Sequence, residues 1–524
     1  MRELFAGKRK TYWLLGGILL AALFVRFWHI DSIPAGLYPD EAVNGLDAQR
    51  ANATGEYKLF YEDNYGREGL FINLQALSIL AFGNTILGLK FWPALMGVLT
   101  VWGTFLLGRE LFRSDRAGLV SAFLVAFSYW AINFSRIGFR ANMVPLILVW
   151  SFYLLWKGIH TRKYAPFIFG GLIFGLGVHT YIAFRVAPLV LIVLLVALLF
   201  SQKDFLRTYW KHALVFFASL IVTSLPMMLD FFVFHPEHYT SRTGAISVLN
   251  PEVNQGDLVG TITKTLSLSL AKYVVWGDQN WRHNYPPYPI LNPLVGAAFA
   301  LGLAASFAKF FQLLYLRLVR GIRDERLAVY AFLLCWLFTL LIPEFLANEG
   351  NPHALRAIGT IPVVMLISAL PLLWLIGHIK QFGKGFGIAA ASMLVVFFAF
   401  VSLFDTTKYL FFFANNPRQH AAFEANLRLA SDYLRTIPAS TPKFVVSGNM
   451  QRIPLKFFNP QMPNISYLGH GDISQINSAA NSPLVILFTE RSEREYAELT
   501  KRIPDLKFEE HRNGFGDVFY TLTR

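Results

Sequence analysis

The chain has 524 residues, of which 54% are hydrophobic, 16% aromatic and only 15% charged. A soluble protein of this length needs far more charge to cover its surface, so composition points to a polytopic membrane protein and excludes a cytosolic enzyme. The formal net charge of +14 sits in short Lys/Arg clusters between apolar runs, which fits cytoplasmic loops beside anionic lipid rather than a nucleic-acid partner; the single cysteine, Cys335, excludes an intrachain disulfide.

The first ten residues, MRELFAGKRK, are basic and lead into an apolar run at 12–29 with no small-residue cleavage site after it, the pattern of an uncleaved first span. A bilayer crossing takes about 17–25 residues. On that measure some eleven spans are expected, near 12–29, 86–107, 117–134, 142–157, 165–183, 186–201, 213–234, 290–312, 327–346, 356–377 and 386–410. With the N-terminus cytoplasmic, the loops near 108–116, 157–164, 202–212, 313–326 and 378–385 face the cytoplasm. Each is basic or carries clustered Lys and Arg, so the count agrees with the positive-inside rule. The outer side of the plasma membrane then holds two long loops, about 30–85 and 235–289, and the C-terminal tail. Within the first loop, GLFINLQALSILAFG reads as a helix at the membrane surface. The tail changes character: short β-like runs, KFVVSG, PLVILFT and DVFYTLTR, lie among the helical stretches FEANLRLASDYLRTI and RSEREYAELTKRI. The expected fold is mainly α, a transmembrane bundle over residues 1–410, followed by a small extracytoplasmic α/β domain over 411–524. Gly171 and Gly175, in GxxxG spacing, mark close packing of two helices.

No Walker A, HExxH, GxSxG or CxxC motif is present. The unusual feature is arginine on the outer side, where short loops are normally poor in it: Arg67, Arg136, Arg140, Arg185 and Arg356. Two readings stand. The arginines pair with headgroups and local acids, or they line a pocket for a phosphate, which the planar guanidinium fork suits. A phosphate on the outer face, where ATP is not expected, suggests a lipid carrier such as a polyprenyl-phosphate sugar. Asp40 and Glu41, in GLYPDEAVNGLDAQRA, supply the complementary chemistry, because sugar transfer to a hydroxyl needs a carboxylate to take its proton. The same acids stand where a helix would begin, so capping is the competing use, and one acid can cap while the other faces a site.

At this point a resemblance carries further. The segments GLYPDEAVNGLDAQRANATGEY, NYGREGLF, SRIGFRANMVPL and NPHALRAIGTIPVVMLIS resemble the GT-C glycosyltransferases, in particular the group of protein O-mannosyltransferases and aminoarabinose transferases, over roughly residues 1–410. The resemblance implies that Asp40 is the catalytic base with Glu41 in support. It implies that Arg67, Arg136, Arg140, His353 and Arg356 hold the carrier phosphate. Glu68 and Gly69 stand where the family commonly has prolines, which leaves the role of Glu68 open. Glu68, Arg185, Asp278 and Arg282 are candidates for the sugar or acceptor site. His235, Glu237 and His238, in HPEHY, offer an alternative divalent-metal site; no other cofactor is called for. Asp230, close by, is a candidate partner for an arginine. The implied function is an inverting transfer of a sugar from a polyprenyl-phosphate carrier to a hydroxyl of a protein, lipid or glycan in the cell envelope. The competitors are a carrier-binding protein or flippase without catalysis, and a secondary transporter. A transporter would place isolated acids at mid-span and show related halves, and neither is found here.

Overall fold

The computed structural model describes residues 2–240, 247–379, 381, 383–476 and 482–524. Residues 241–246 of the loop read at about 235–289, and Lys380 in the loop near 378–385, lie outside the described residues. All eleven expected apolar runs are helical over most of their length. Among the described residues, nine helices are long and apolar enough to cross a membrane: Arg9–Phe27, Ile86–Phe112, Arg140–Thr161, Ile182–Ser201, Phe205–Phe234, Pro293–Arg320, Arg326–Phe345, Ile358–His378 and Gly385–Phe413. The run at 117–134 is instead a broken pair, Asp115–Phe127 and Tyr129–Ser135, bent by 62°. Ser128 makes the break: its hydroxyl accepts the Ala131 N–H and starts a new helix. The run at 165–183 is a shorter apolar helix, Tyr164–His179. Large apolar side chains such as Leu20, Val222, Leu301 and Val395 are exposed on the long helices. Such faces require hydrocarbon around them, so this is an integral membrane protein.

Numbered along the chain, the elements that matter for the site are α1 (Arg2–Phe27), α2 (Pro39–Thr54), β1 (Phe60–Tyr61), β2 (Arg67–Glu68), α3 (Gly69–Phe82), α4 (Ile86–Phe112), α5 (Asp115–Phe127), α6 (Tyr129–Ser135), α7 (Met143–Thr161), α8 (Tyr164–Leu176), α9 (Pro188–Ser201) and α10 (Phe205–Leu229). The chain forms two compact units. The first comprises Met1–Trp28, Leu59–Phe71 and Pro93–Tyr409. The second comprises His29–Lys58, Ile72–Trp92 and Leu410–Arg524. The tail thus shares its unit with two pieces of the first third of the chain, one of which carries Asp40.

In the first unit, α8 and α10 pack so tightly that a Cβ at Gly171 would stand 2.2 Å from the Phe216 carbonyl oxygen, and one at Gly175 2.1 Å from Thr223 Oγ1. The glycine spacing is therefore a helix-packing device, as read. The second unit contains a five-stranded sheet. Its strands are β3 (Lys443–Val446), β4 (Ile465–Leu468), β5 (Val485–Phe488), β6 (Lys507–Arg512) and β7 (Val518–Thr523), in the order β4-β3-β5-β7-β6. β3 pairs in parallel with β4 and β5, while β7 is antiparallel to β5 and β6. Neighbours in sequence face opposite layers. Val446, Ile486 and Leu522 pack with Leu499 of the helix Glu493–Arg502; Val445, Leu487 and Phe519 pack with Leu427 and Leu434 of the helix Ala425–Thr436 and with Leu455. A sheet covered on both faces explains the continuously apolar β5, Val-Ile-Leu-Phe.

Candidate functional site

In the first unit the segment Phe60–Glu68 folds into a small hairpin. Asn64, Tyr65 and Gly66 all take positive φ, which tightens the turn and pairs Tyr61 with Arg67 and Phe60 with Glu68. Arg67 is buried and donates from Nε to the Asp63 carbonyl at 3.0 Å. Glu68 turns to a different element: Arg140 Nε donates to its carboxylate at 2.7 Å, and both side chains are buried. Arg140 opens the one-turn helix Arg140–Asn142 that leads into α7, and its guanidinium lies 5.5 Å from the Tyr181 ring centre. Arg185, in the short turn Ile182–Val186 before α9, lies over the rings of Tyr239 (4.3 Å) and Phe231 (5.0 Å) and donates to the Tyr239 carbonyl at 2.8 Å. Phe60 of the hairpin stacks on His238 with ring centres 4.1 Å apart. Four segments distant in sequence thus converge, 59–71, 136–142, 179–186 and 230–239, and they bring Arg67, Glu68, Arg140 and Arg185 into one set of loops. Guanidinium groups held by carboxylate and rings are preorganised donors for an anion.

Arg136 does not join this set. It is fully buried, and its guanidinium donates to the Val25 and Trp28 carbonyls at 2.8 and 2.7 Å. It closes the C-terminal end of α1, whose last carbonyls have no partner within the helix. Arg26 works in the opposite direction, reaching the Ala126 carbonyl at 3.0 Å and Ser135 Oγ at 3.2 Å. Arg356 is held by Glu349, through its carbonyl at 2.6 Å and its carboxylate at 2.8 Å.

Among the described residues, two groups of donor side chains come close enough to share a cation. In each, one ligand atom per residue lies within 4.8 Å of the others. In the first, the carboxylate that His235 and His238 share is that of Asp230, not of Glu237: their Nδ1 atoms lie 3.0 and 2.8 Å from its two oxygens. Asp230 is thus paired with histidines rather than with an arginine. In that arrangement the carboxylate orients both rings. The second group is Asp278, His283 and His353. Asp278 accepts the backbone N–H of Asn280 at 2.8 Å and of Ala354 at 2.7 Å, and lies 3.0 Å from His283 Nδ1, so its oxygens are already engaged in tying two loops together. Burial, then the neighbouring His283, Arg356 and Arg282, hold the His353 imidazole well below the usual histidine range, so it is neutral. Arg282 contributes its carbonyl to Asn133 at 2.8 Å, and its Nε donates to Asn280 at 3.1 Å.

In the second unit, Pro39, Asp40 and Glu41 form the first turn of α2. The two acids divide the roles. Glu41 is fully buried, accepts the Tyr38 N–H at 3.3 Å and lies 3.8 Å from the equally buried Lys90 Nζ. That makes Glu41 the capping acid, in the position a capping box requires. Asp40, one residue earlier, is half-buried. Lys90 escaped the sequence reading, although a lone lysine in the apolar stretch ILGLKFWPALMG carried a signal: a charge in such a run needs a partner.

Three comparisons bear on this arrangement. The family model for dolichyl-phosphate-mannose-protein mannosyltransferases matches residues 70–228. No curated protein sequence matches the chain. Among solved structures, the fold is similar to ArnT from Cupriavidus metallidurans bound to undecaprenyl phosphate, at 13% identity and TM-score 0.59, over 97% of each chain. The apo state of the same protein is similar at 13% identity and TM-score 0.58, over 99% of this chain and 98% of that one. The Archaeoglobus fulgidus oligosaccharyltransferase tethered to an acceptor peptide is similar at 14% identity and TM-score 0.51, over 88% of this chain and 64% of the other.

Proposed function

We propose that this chain, which has the GT-C glycosyltransferase fold, moves a sugar from a polyprenyl-phosphate carrier to a hydroxyl acceptor at the outer face of the plasma membrane. In this reading Asp40 takes the proton from the acceptor hydroxyl, whose oxygen attacks the anomeric carbon opposite the phosphate. The carbon–oxygen bond to phosphate breaks, its electron pair stays on the phosphate oxygen, and the new glycoside has inverted configuration. Arg140 and Arg185, with Arg67 on the hairpin that bears Glu68, stabilise the charge that gathers on the phosphate. Arg136, His353 and Arg356 act through the loops they hold in place. The observation that carries this reading is the convergence of the three segments that bear Arg67, Glu68, Arg140 and Arg185, with 230–239 packed beside them. A transporter has no need of such a set of arginines in its loops. The basic loops support a cytoplasmic N-terminus and an outer tail. ArnT bound to undecaprenyl phosphate supports the carrier class; the sugar and the acceptor are matters for assay.

The test is transfer by purified protein, wild type beside Asp40→Asn, with a panel of radiolabelled polyprenyl-phosphate sugars and a membrane extract as acceptor. Donor binding is followed in the same samples. Transfer of one sugar by wild type, and binding without transfer by the mutant, is the expected result. Equal transfer by both removes Asp40 as the base. Binding without transfer by either, across the panel, favours a carrier-binding protein.

A further inference from the structure

The C-terminal domain carries no motif that gives it a role, yet its packing is specific. α2 lies in the same compact unit as residues 410–524 and packs against the helix Asn449–Phe458. Just before α2, a Cβ at Gly36 would come 2.1 Å from the Phe423 carbonyl oxygen and 2.8 Å from the Ala425 nitrogen. On α2 itself, a Cβ at Gly45 would come 2.5 Å from the ring of Phe457, a fully buried residue of the helix Asn449–Phe458. Gln49, one turn further, donates to the Phe457 carbonyl at 3.4 Å, and Arg428 donates to the Asp31 carbonyl. The remaining sides of α2 are held by the buried Glu41–Lys90 pair and by Asn52, which donates to the Ala76 carbonyl at 2.9 Å. The buried residues of α2 include Glu41, Ala42, Asn44, Gly45, Asp47, Ala48 and Ala51, while Asp40 stays half-buried in its first turn.

We propose that the C-terminal domain is the positioning element for Asp40, with Phe457 against Gly45 as its key contact. The proposal rests on Asp40 being the base. Asp40 lies five residues from Gly45, roughly 7.5 Å of helix rise, with no proline between them to absorb a displacement. A shift of α2 at Gly45 therefore moves the Asp40 carboxylate with it, and displacements of about 1 Å cost on the order of 100-fold in rate. Phe457 is a positioning residue, because it acts on α2 and not on the reactants. A domain tethered for acceptor capture alone would not need two glycines to let its backbone and ring reach the segment that bears the base.

The experiment uses the full chain and the donor identified by the transfer panel, with undecaprenyl phosphate as the binding probe. Gly45→Ala forces a methyl group into the Phe457 ring; Phe457→Leu makes room for it. In Gly45→Ala, kcat is expected to fall about 100-fold with probe affinity within about twofold of wild type, because the arginines belong to the other unit. The pair Gly45→Ala with Phe457→Leu is expected to recover most of the lost kcat. Hydrogen exchange, which needs no substrate, is expected to quicken over 39–54 in Phe457→Ala and to stay unchanged over 143–161. An exposed control on the same domain, Glu498→Ala, is expected to behave as wild type. If Asp40→Asn is inactive while Gly45→Ala and Phe457→Leu match wild type in kcat, the positioning role is overturned and the base assignment stands. If Asp40→Asn is fully active, the base assignment fails first. Unchanged exchange over 39–54 in Phe457→Ala overturns the clamp itself, whatever the activity.

Discussion

Glu68 and Arg140 meet at 2.7 Å with both side chains buried, which makes their removal one at a time costly. Arg140→Ala leaves the Glu68 carboxylate without its charge partner. It should lower stability by about 3–5 kcal/mol, read as a fall in Tm of the detergent-solubilised protein. Replacing both, with Glu68→Gln and Arg140→Met, should restore much of the Tm without restoring donor binding. His353 offers a pH signature. Its folded-state pKa is depressed, first by burial and then by His283, Arg356 and Arg282. As pH falls through the ordinary histidine value of about 6.5, the unfolded chain takes up a proton and the folded chain does not. Stability should therefore decline below that pH, by at most about 1.4 kcal/mol per pH unit for this proton. His353→Gln should flatten the Tm profile between roughly pH 7 and 5. At this scale the sequence marked residues but not their uses. Arg136 and Arg140 are four apart in one loop and look alike on paper. One meets the carbonyl end of α1 and the other a carboxylate 72 positions earlier in the chain. Long-range partners decide the role of a guanidinium, and spacing does not record them.

The elements themselves were more legible, because apolar length and periodicity are local properties. The helix read from GLFINLQALSILAFG is α3, and the strands read from KFVVSG, PLVILFT and DVFYTLTR are β3, β5 and β7. β4 and β6 were missed: β6, KFEEHR, is a charged edge strand that no hydrophobic pattern announces. The GxxxG of α8 allows a prediction. Gly171→Val puts side-chain atoms where the Phe216 carbonyl stands, 2.2 Å from the new Cβ. Because backbone cannot yield as a side chain does, the variant should lose at least about 1–3 kcal/mol and show a lower Tm and a poor yield of monodisperse protein. Gly377→Ala is the control: nothing lies within 4 Å of its added Cβ, so its Tm should be unchanged or slightly higher.

For the whole molecule, the orientation proposed from the basic loops can be checked with the chain's own cysteine count. Cys335 is the only one and sits inside the helix Arg326–Phe345. A Cys335→Ser background carrying Glu498→Cys, an exposed position of the C-terminal domain, should react with a membrane-impermeant maleimide in intact cells. A cysteine placed at Arg323, in the loop after the helix Pro293–Arg320, should react only after the cells are opened. Labelling in the reverse pattern would invert the topology and move the acids and arginines of the outer loops to the cytoplasmic face.

The sequence by itself determined that this is a membrane bundle with a small α/β tail, since apolar runs, basic loops and β-like runs each report local solvent preference. It also singled out Asp40, Glu41 and the arginines Arg67, Arg136, Arg140, Arg185 and Arg356, since the charge rule for loops between spans makes those arginines unexpected where they stand. Tertiary structure decided which acid caps and which is left half-exposed, which arginines gather and which close helix ends. It also placed the tail in the unit that holds α2. Those outcomes depend on contacts such as Gly45 with Phe457 and Glu68 with Arg140, in which a glycine or a charge acquires its purpose from a partner far away in the chain.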